Sequence, residues 1–281
     1  MLDELARNPG EPLTISEIAR RTGMARATAD SVLLALAERG LVKRGEDDRR
    51  FALGPTCIFL GDAARATNAG LSAAAEEAEQ LARELSAFVA VSILEGREVR
   101  IASVSDFGPP FAIRARVGQS IPLVPPFGAV FVAWEGAEVV DQWLERGDLS
   151  AQERDRYLRA LESIRRNGYS VAIAPTRREE LAGTLESLTA APTTPGEQQR
   201  RDRIIHEISH GEYLLEKIGT HSAVRVSQIS APVFDSRARV TVSIRLLGSG
   251  FEMDSGEIEI LGSRLRDAAA RATRASGGVA G

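Results

Sequence analysis

The sequence predicts an α+β protein in which a winged helix-turn-helix precedes a larger domain built on an antiparallel sheet. Residues 13–53 combine helical spacing, a glycine turn and a short basic hairpin. Residues 88–105 and 224–247 each contain two β-rich runs joined by turn residues. Apolar residues recur at intervals of three and four over 71–85 and 254–274, which indicates helices packed on the faces of a sheet.

The helix-turn-helix begins with a short helix that Ser16 or Thr14 can cap. Its buried face is expected to contain Ile15, Ile18 and Ala19. Gly23 ends this helix, because a tight turn there needs a positive φ. A second helix is predicted from about residue 25 to residue 39.

The second helix has an apolar stripe and a polar N-terminal end. The stripe consists of Ala29, Val32, Leu33, Leu36 and Ala37. The residues that would face base edges in a major groove are Arg26, Ala27, Thr28, Asp30 and Ser31. Two short strands, 41–44 and 49–53, follow as a wing whose Lys43, Arg44, Arg49 and Arg50 would contact phosphates.

A helical hairpin without a nucleic-acid partner is the alternative explanation of this pattern. The glycine turn, the polar-tipped second helix and the basic hairpin together favour DNA binding. Basic and acidic side chains balance between Met1 and Gly54, so attraction to phosphates must come from local placement rather than from net charge.

Composition fits a globular protein of one large or two ordinary domains. The chain has 281 residues, 43% of them hydrophobic and 26% charged, with a net charge of −4. The single cysteine, Cys57, cannot form an internal disulfide, which suits a reducing cytoplasm. No run approaches about 20 apolar residues, so no membrane span is expected, and Asp3 and Glu4 argue against a signal sequence.

The remaining chain predicts a linker helix and the elements of the larger domain. Helices are expected over 56–68, 71–85, 127–134, 137–144, 151–167 and 254–274; strands over 88–94, 99–105, 111–117, 170–174, 224–234 and 238–247; and an irregular loop over 118–123. Residues 176–222 are polar and helix-prone, and are expected to form a helical insertion that is partly mobile. The predicted division is residues 1–54, a linker at 55–70, and a domain at 71–281.

Three stretches occur in an order that is fairly specific when they are taken together. The first comprises residues 18–24, 36–42 and 51–54; the second is Arg-Val-Gly-Gln-Ser-Ile-Pro-Leu at 116–123; the third is Ile-Ser-Ala-Pro-Val-Phe-Asp at 229–235. With them the chain resembles the isocitrate lyase regulator (IclR) family of bacterial transcription factors over nearly its whole length. The resemblance implies a winged helix joined by a linker helix to a GAF-like effector domain, in dimers or tetramers that bind operators.

The chain departs from the family pattern at five positions. Asp30 and Ser31 occupy the place of a basic or polar pair, in which arginine is common at the second position. Arg245 and Leu247 replace two serines that face the effector, and Gln228 replaces a cysteine.

Strand alternation places Arg245 on the face that the family uses for its effector. Val240, Val242, Ile244 and Leu246 form the apolar face toward the helices, and Thr241, Ser243, Arg245 and Leu247 form the other face. A guanidinium can bind a carboxylate through two parallel hydrogen bonds. The hypothesis is that Arg245 anchors an organic acid, with Phe127, Gly128, Gln228, Ser243 and Leu247 around it. The alternative is a strand-end arginine that reaches water or pairs with an acid such as Glu252.

Residues 206–210, His-Glu-Ile-Ser-His, match the zinc-peptidase pattern H-E-x-x-H. His206 and His210 would share one helix face, and Glu207 could activate a zinc-bound water. Polar flanks favour a solvated helix, and the only nearby candidates for a third ligand are Glu216 and His221. A zinc-dependent peptidase with a DNA-binding module, or a metal-sensing regulator, is therefore the alternative.

The sequence as a whole predicts a cytoplasmic, ligand-responsive transcriptional regulator that is not an enzyme and needs no cofactor. The expected partners are a double-stranded DNA operator, a small-molecule effector such as a carboxylic acid, and further copies of the chain in a homodimer or homotetramer. No membrane partner is expected.

Overall fold

The computed structural model describes residues 1–7, 10–45, 49–108, 115–173, 195–211, 213–219, 223–247 and 252–281. The chain forms two compact units, residues 1–68 and residues 69–281. Both combine helices with antiparallel sheets, so the α+β prediction is confirmed. Among the helices that the structure describes, none has the length and apolar character that a bilayer crossing requires.

The N-terminal unit is a winged helix-turn-helix. Its elements are α1 (Leu2–Arg7), β1 (Leu13–Thr14), α2 (Ile15–Thr22), α3 (Arg26–Glu38), β2 (Val42–Arg44), β3 (Arg50–Leu53) and α4 (Thr56–Ala66). The strands form an antiparallel sheet in the order β1-β3-β2. A small core of Leu5, Leu13, Ile18, Leu33, Val42 and Phe51 packs the helices on this sheet.

Local interactions fix the start and the end of α2. Thr14, rather than Ser16, is the cap: its hydroxyl accepts the Glu17 N–H, and the Glu17 carboxylate accepts the Thr14 N–H at 2.7 Å. Gly23 ends the helix with φ 68° and donates its N–H to the Ala19 carbonyl. Strand β1 was not predicted; it forms because Leu13 lies opposite Phe51 and is buried with it.

The C-terminal unit is built on a seven-stranded antiparallel sheet. Its elements are α5 (Ala69–Leu85), β4 (Phe88–Glu95), β5 (Glu98–Asp106), β6 (Ser120–Pro122), α6 (Ala129–Val132), α7 (Ala137–Glu145), α8 (Ala151–Asn167), β7 (Ser170–Ile173), α9 (Pro195–His210), β8 (Val224–Phe234), β9 (Val240–Leu247), β10 (Glu252–Met253) and α10 (Ser255–Ala275). The strand order is β10-β8-β9-β4-β5-β6, and β7 also pairs with β8.

Hydrophobic clusters pack on both faces of the sheet. Helices α5 and α10 cover one face, where Leu81, Ile244 and Leu265 are buried together. Gly262 allows α10 to approach closely, because a Cβ at this position would lie 2.2 Å from the Tyr169 ring. Helices α6 to α9 contribute to the second cluster, whose large members are Phe131, Trp143, Tyr157 and Leu161.

Three elements of the C-terminal unit differ from the sequence prediction, and the first is β10, a two-residue strand that pairs with β8 and was not predicted. The predicted strand at 111–117 lies outside the described residues up to residue 114, and residues 115–117 form no strand. The predicted loop at 118–123 instead contains β6, which pairs with Glu98–Arg100 of β5. Pro122 is compatible with this position because the N–H of the next residue, Leu123, donates to the Arg97 carbonyl, so alternation turns the Pro122 nitrogen away from the paired strand.

The predicted insertion at 176–222 is described only in part, over 195–211 and 213–219. The described part is integrated into the domain. Leu214 forms a bridge with Ala172 of β7, and Tyr213 and Leu214 are buried in the same cluster as α6 to α8. Helix α9 is exposed to solvent at His206 and Glu207, as the polar flanks predicted, and packs its apolar side on this cluster through Ile204, Ile205 and Ile208.

Candidate functional site

The predicted base-reading residues lie on one exposed surface of α3. Arg26, Ala27, Thr28, Asp30 and Ser31 are all exposed. The Ser31 hydroxyl donates to the Ala27 carbonyl at 3.1 Å, so this side chain lies along the helix. Ala25 precedes α3 without a side-chain cap, which leaves the N–H groups of the first turn without a side-chain acceptor from the cap position.

The opposite side of α3 is anchored in the small core. Ala29 and Leu33 are fully buried, and Val32, Leu36 and Ala37 are half-buried. This is the stripe that the sequence spacing predicted. Because the buried and the exposed residues lie on different sides of α3, the helix presents its polar side while its apolar side is anchored in the core.

Two of the four predicted phosphate-contacting residues lie on strand β2 of the wing. Lys43 and Arg44 are exposed on β2, and the Arg44 guanidinium lies 5.5 Å from the centre of the Phe51 ring. Arg50 donates to the Pro12 carbonyl at 2.9 Å, so it also ties β3 to the segment before β1. Arg49 is exposed next to the wing tip, and residues 46–48 of the tip lie outside the described part of the chain.

Two of the candidate effector residues, Ser243 and Arg245, lie in adjacent rows across the middle of the large sheet, and Gln228 lies opposite Leu247 in the row after them. Ser92 of β4 is opposite Ser243 of β9, and Ser243 is opposite Pro232 of β8. One step along, Arg245 lies between Ala90 and Ser230. These positions lie on the sheet face away from α5 and α10, since Val242, Ile244 and Leu246 of β9 pack against those two helices.

Arg245 is held by neutral partners. Its guanidinium donates to the Ser92 hydroxyl at 3.2 Å and to the Gln228 amide oxygen. Burial lowers the pKa of Arg245, although an arginine in a protein keeps its charge. Glu252 instead lies 4.0 Å from Arg225, so the pairing of Arg245 with Glu252 that the sequence left open is not formed.

Tyr213 connects Arg245 to the loop before α6. Burial raises the pKa of the Tyr213 phenol, and a hydrogen bond with Ser227 and then the charge of Arg245 partly oppose this shift. The Tyr213 and Phe127 rings pack edge to face with their centres 5.8 Å apart. Phe127 is buried, and its carbonyl accepts the Trp143 indole N–H at 3.0 Å.

Ser243 provides an unsatisfied polar atom beside Arg245. Its hydroxyl is fully buried and has no hydrogen-bond partner among the described residues. An unsatisfied buried hydroxyl costs about 1–3 kcal/mol. A water or a ligand atom that reached this hydroxyl would remove that cost.

The structure brings together only part of the predicted effector set. Arg245 and Gln228 are in contact, Ser243 lies in the next row, and Phe127 approaches through Tyr213. Gly128 faces Leu123 and Val99, with φ 76° at the start of α6, and Leu247 packs with a separate cluster that contains Phe88, Ala90 and Ile101. These two residues lie at the edge of the set.

Two members of the site were missed in the sequence. Ser92 could have been found, because it is the polar residue in an otherwise apolar run over 88–94. Alternation places it on the same strand face as Ala90, the residue opposite Arg245. Tyr213 left no such signal, since it follows a polar helix in a segment that has no periodicity.

The H-E-x-x-H segment forms the end of α9. His206 and Glu207 are exposed, and the His206 Nδ1 atom lies 3.1 Å from His210 Nε2. Glu216 is paired with Arg159 at 2.9 Å, and His221 lies outside the described residues. Within the described ranges, no three His, Cys, Asp or Glu side chains are grouped so that they could hold a metal ion, and a peptidase zinc site therefore lacks a third protein ligand there.

Two comparisons with known proteins match part of the chain. Residues 1–50 match the MarR family model. The HTH-type transcriptional regulator Rv1719 of Mycobacterium tuberculosis is 35% identical over 128 residues, which is 44% of this chain and 46% of that protein. The matched stretch thus spans about half the length of this curated relative.

Solved structures share the fold over nearly the full chain. The IclR transcriptional regulator from Alicyclobacillus acidocaldarius has a TM-score of 0.69 at 22% identity, covering 98% of this chain and 95% of that chain. An IclR homolog from Microbacterium hydrocarbonoxydans, complexed with 4-hydroxybenzoate, has a TM-score of 0.64 at 19% identity and covers 98% of both chains. The chain has the fold of the IclR transcriptional regulators, as the resemblance implied.

Proposed function

We propose that this chain, which has the IclR fold, is a DNA-binding transcriptional regulator whose operator affinity is shifted by an organic acid bound beside Arg245. The observation that supports the DNA-binding half is the exposed polar surface of α3 over a buried apolar stripe. The match of residues 1–50 to the MarR family and the partial likeness to a mycobacterial regulator support the same half.

The observation that supports the effector half is a half-buried cation whose hydrogen-bond partners are uncharged. Arg245 donates to Ser92 and Gln228, and the described residues place no acid in hydrogen-bond contact with its guanidinium. A carboxylate could replace the Gln228 oxygen and form two parallel hydrogen bonds with the guanidinium. The 4-hydroxybenzoate in one structural neighbour is an acid of the proposed class.

Binding would regulate through a difference in affinity between two arrangements of the protein. An effector shifts operator affinity only by the ratio of its affinities for the two arrangements. No chemical conversion of the effector is needed, so we propose a binding protein rather than an enzyme, with cytoplasmic DNA as its macromolecular partner.

We also propose that the protein acts as a homodimer or a homotetramer. Helix α4 has no buried residue, and it exposes Ile58 (65%), Phe59 (70%) and Leu60 (55%) in succession. Contiguous exposed apolar side chains mark interaction surfaces. Light scattering on the wild type and on Phe59→Glu tests this: the wild type is expected to be oligomeric and the variant smaller, and a monomeric wild type at micromolar concentration would contradict it.

The effector half is tested by a panel of aromatic and short-chain carboxylic acids, each matched with its neutral amide. At least one acid is expected to raise the melting temperature of the wild type, and its amide is not. Arg245→Ala should lose the response, whereas Arg225→Ala, a strand arginine outside the site, should keep it. A panel without any acid-specific response, or an equal response in Arg245→Ala, would contradict the assignment.

The DNA half is tested by genomic fragment selection with the full-length protein, followed by gel retardation. We expect recovery of a small set of related sequences. Recovery of unrelated fragments in proportion to their length would indicate that α3 does not read base edges.

A further inference from the structure

Two histidines of α9 form a pair that the proposed function does not use. His206 and His210 are four residues apart, so their rings project from one side of the helix. His206 Nδ1 lies 3.1 Å from His210 Nε2. The His206 side is exposed, so solvent reaches the pair.

The distance between these nitrogens is close to the one that a divalent transition metal requires. Two imidazole nitrogens at about 2.0–2.1 Å from a tetrahedral ion lie about 3.3 Å apart. Two neutral imidazoles at 3.1 Å share one hydrogen bond, which uses a single lone pair. A metal ion would instead use one lone pair from each ring.

A carboxylate already orients the ligand atom of His210. His210 Nδ1 lies 2.6 Å from Glu153 Oε1 at the start of α8. Metal-binding histidines commonly donate their other ring N–H to a carboxylate, which fixes the tautomer and makes the ligand nitrogen more basic. With its proton on Nδ1, His210 presents the lone pair of Nε2 to His206 and to any ion between them.

Glu153 is itself held in place. The Ser150 hydroxyl donates to the carboxylate at 2.6 Å, and the Ser150 N–H donates at 2.8 Å. These two hydrogen bonds belong to the capping box at the start of α8 and fix the position of the carboxylate.

The backbone beneath His210 is also fixed on the domain. The Ser209 hydroxyl donates to the Pro125 carbonyl, and the Tyr157 hydroxyl donates to the Ser209 carbonyl at 2.7 Å. Arg156 donates to the Gly211 carbonyl at 3.0 Å. The end of α9 therefore has little freedom to move relative to α8, and such preorganisation favours ligand binding.

We propose that His206 and His210 form a surface site for a divalent transition ion of the Cu²⁺, Ni²⁺ or Zn²⁺ class, with Glu153 as a positioning residue. Imidazole nitrogen suits these ions. Water completes the coordination, because the described residues contain no grouped third protein ligand. Glu207 has no role as a ligand in this site, which separates the proposal from a zinc peptidase.

A bound ion would strengthen the contact between α9 and α8. A cation on Nε2 makes the Nδ1 proton of His210 more acidic and shortens its hydrogen bond to Glu153. Since α9 leads directly to Tyr213, the ion would favour the arrangement in which Tyr213 is buried near Arg245. Only this coupling rests on the proposed function; the metal site does not.

The experiment is calorimetric titration of full-length protein, purified without a histidine tag, with CuCl₂. The wild type is expected to bind one equivalent, with two-nitrogen coupling in the electron paramagnetic resonance spectrum. His206→Gln and His210→Gln should each abolish saturable binding. Glu153→Gln, which keeps a side chain able to complete the helix cap, should weaken binding by roughly 10–100-fold.

One matched variant serves as a control. Glu207→Gln should bind copper as the wild type does, and circular dichroism melting should show that every variant is folded. Absence of saturable binding in the wild type, binding that survives in both His206→Gln and His210→Gln, or its loss in Glu207→Gln would overturn the site. Operator binding in EDTA should be unchanged in all variants, so failure of this proposal is distinguishable from failure of DNA binding.

Discussion

The two units place their candidate functional residues in opposite environments. In the N-terminal unit, Arg26 and its neighbours on α3 are exposed, and the core contributes only the support beneath them. In the C-terminal unit, Ser92 and Ser243 are buried and Arg245 is half-buried in the sheet domain, where a polar group without a partner costs stability. Removing an exposed side chain of α3 is therefore expected to change DNA binding without changing stability. Removing Ser92, Ser243 or Arg245 is expected to change both ligand binding and stability.

The largest expected effect is on the small N-terminal core. Leu33→Ala should destabilise this unit by about 2–5 kcal/mol, since it leaves a cavity under α3 where Leu33 is fully buried. A unit of this size has little stability to lose. Thermal unfolding followed by circular dichroism measures the effect.

Leu34→Ala is the matched control for that prediction. Leu34 is 44% exposed on the same helix, so its removal should change stability by less than about 0.5 kcal/mol. Equal destabilisation by the two variants would mean that α3 is not divided into a buried and an exposed side.

The second prediction concerns the paired serines of the C-terminal sheet. Ser243→Ala should stabilise the ligand-free domain, by up to about 1–3 kcal/mol, because it removes a buried hydroxyl without a partner. Ser92→Ala should destabilise it, because Arg245 then loses an acceptor. Chemical denaturation of both variants measures the direction of each change in the free energy of unfolding. A change in the same direction for both variants would show that burial, and not the hydrogen-bond partner, decides the effect.

The third prediction separates base contacts from phosphate contacts in the N-terminal unit. Arg26→Ala should cost about 1–3 kcal/mol at the preferred operator and relax sequence choice. Arg44→Ala should weaken binding to all sequences alike and flatten the dependence on salt. Fluorescence anisotropy over a salt series measures both, and the reverse pattern would show that the two roles are misassigned.

The smallest effect is expected at the contact between α8 and α9. Burial raises the pKa of Tyr157 to about 12, and its hydroxyl donates to the Ser209 carbonyl. The stabilising contribution of the neutral phenol is present below pH 10 and is lost as the pH rises toward 12. Because burial also raises the pKa of Tyr213, the step is read from the difference between the ultraviolet titrations of the wild type and Tyr157→Phe, which should show one tyrosine ionising near pH 12. The substitution should cost about 0.5–1.5 kcal/mol.

Helix and strand periodicity predicted most of the fold, since it follows directly from one-sided burial. Residues 151–167 and 224–234 form the predicted helix and strand with the predicted bounds. Strand β6 was not predicted because three residues are too few to show alternation of polar and apolar residues, and this strand forms by pairing with its neighbour β5. The same applies to β1, whose two residues pair with β3.

The candidate site was predictable only where a single strand defines it. Alternation along β9 placed Ser243 and Arg245 on one face, and the register agrees. The contribution of Tyr213 depends on how residues 213–219 return to β7, which is a long-range contact without a local signal. The partners of Arg245 likewise come from two other strands.

The most direct test of ligand-gated DNA binding is a linkage measurement with the full-length protein. Operator affinity is measured by anisotropy with and without the acid that raises the melting temperature, and acid affinity is measured with and without operator. The two ratios must be equal and different from one in the wild type, and Arg245→Ala should give a ratio of one. An acid that binds the wild type without changing operator affinity would contradict the proposed regulation.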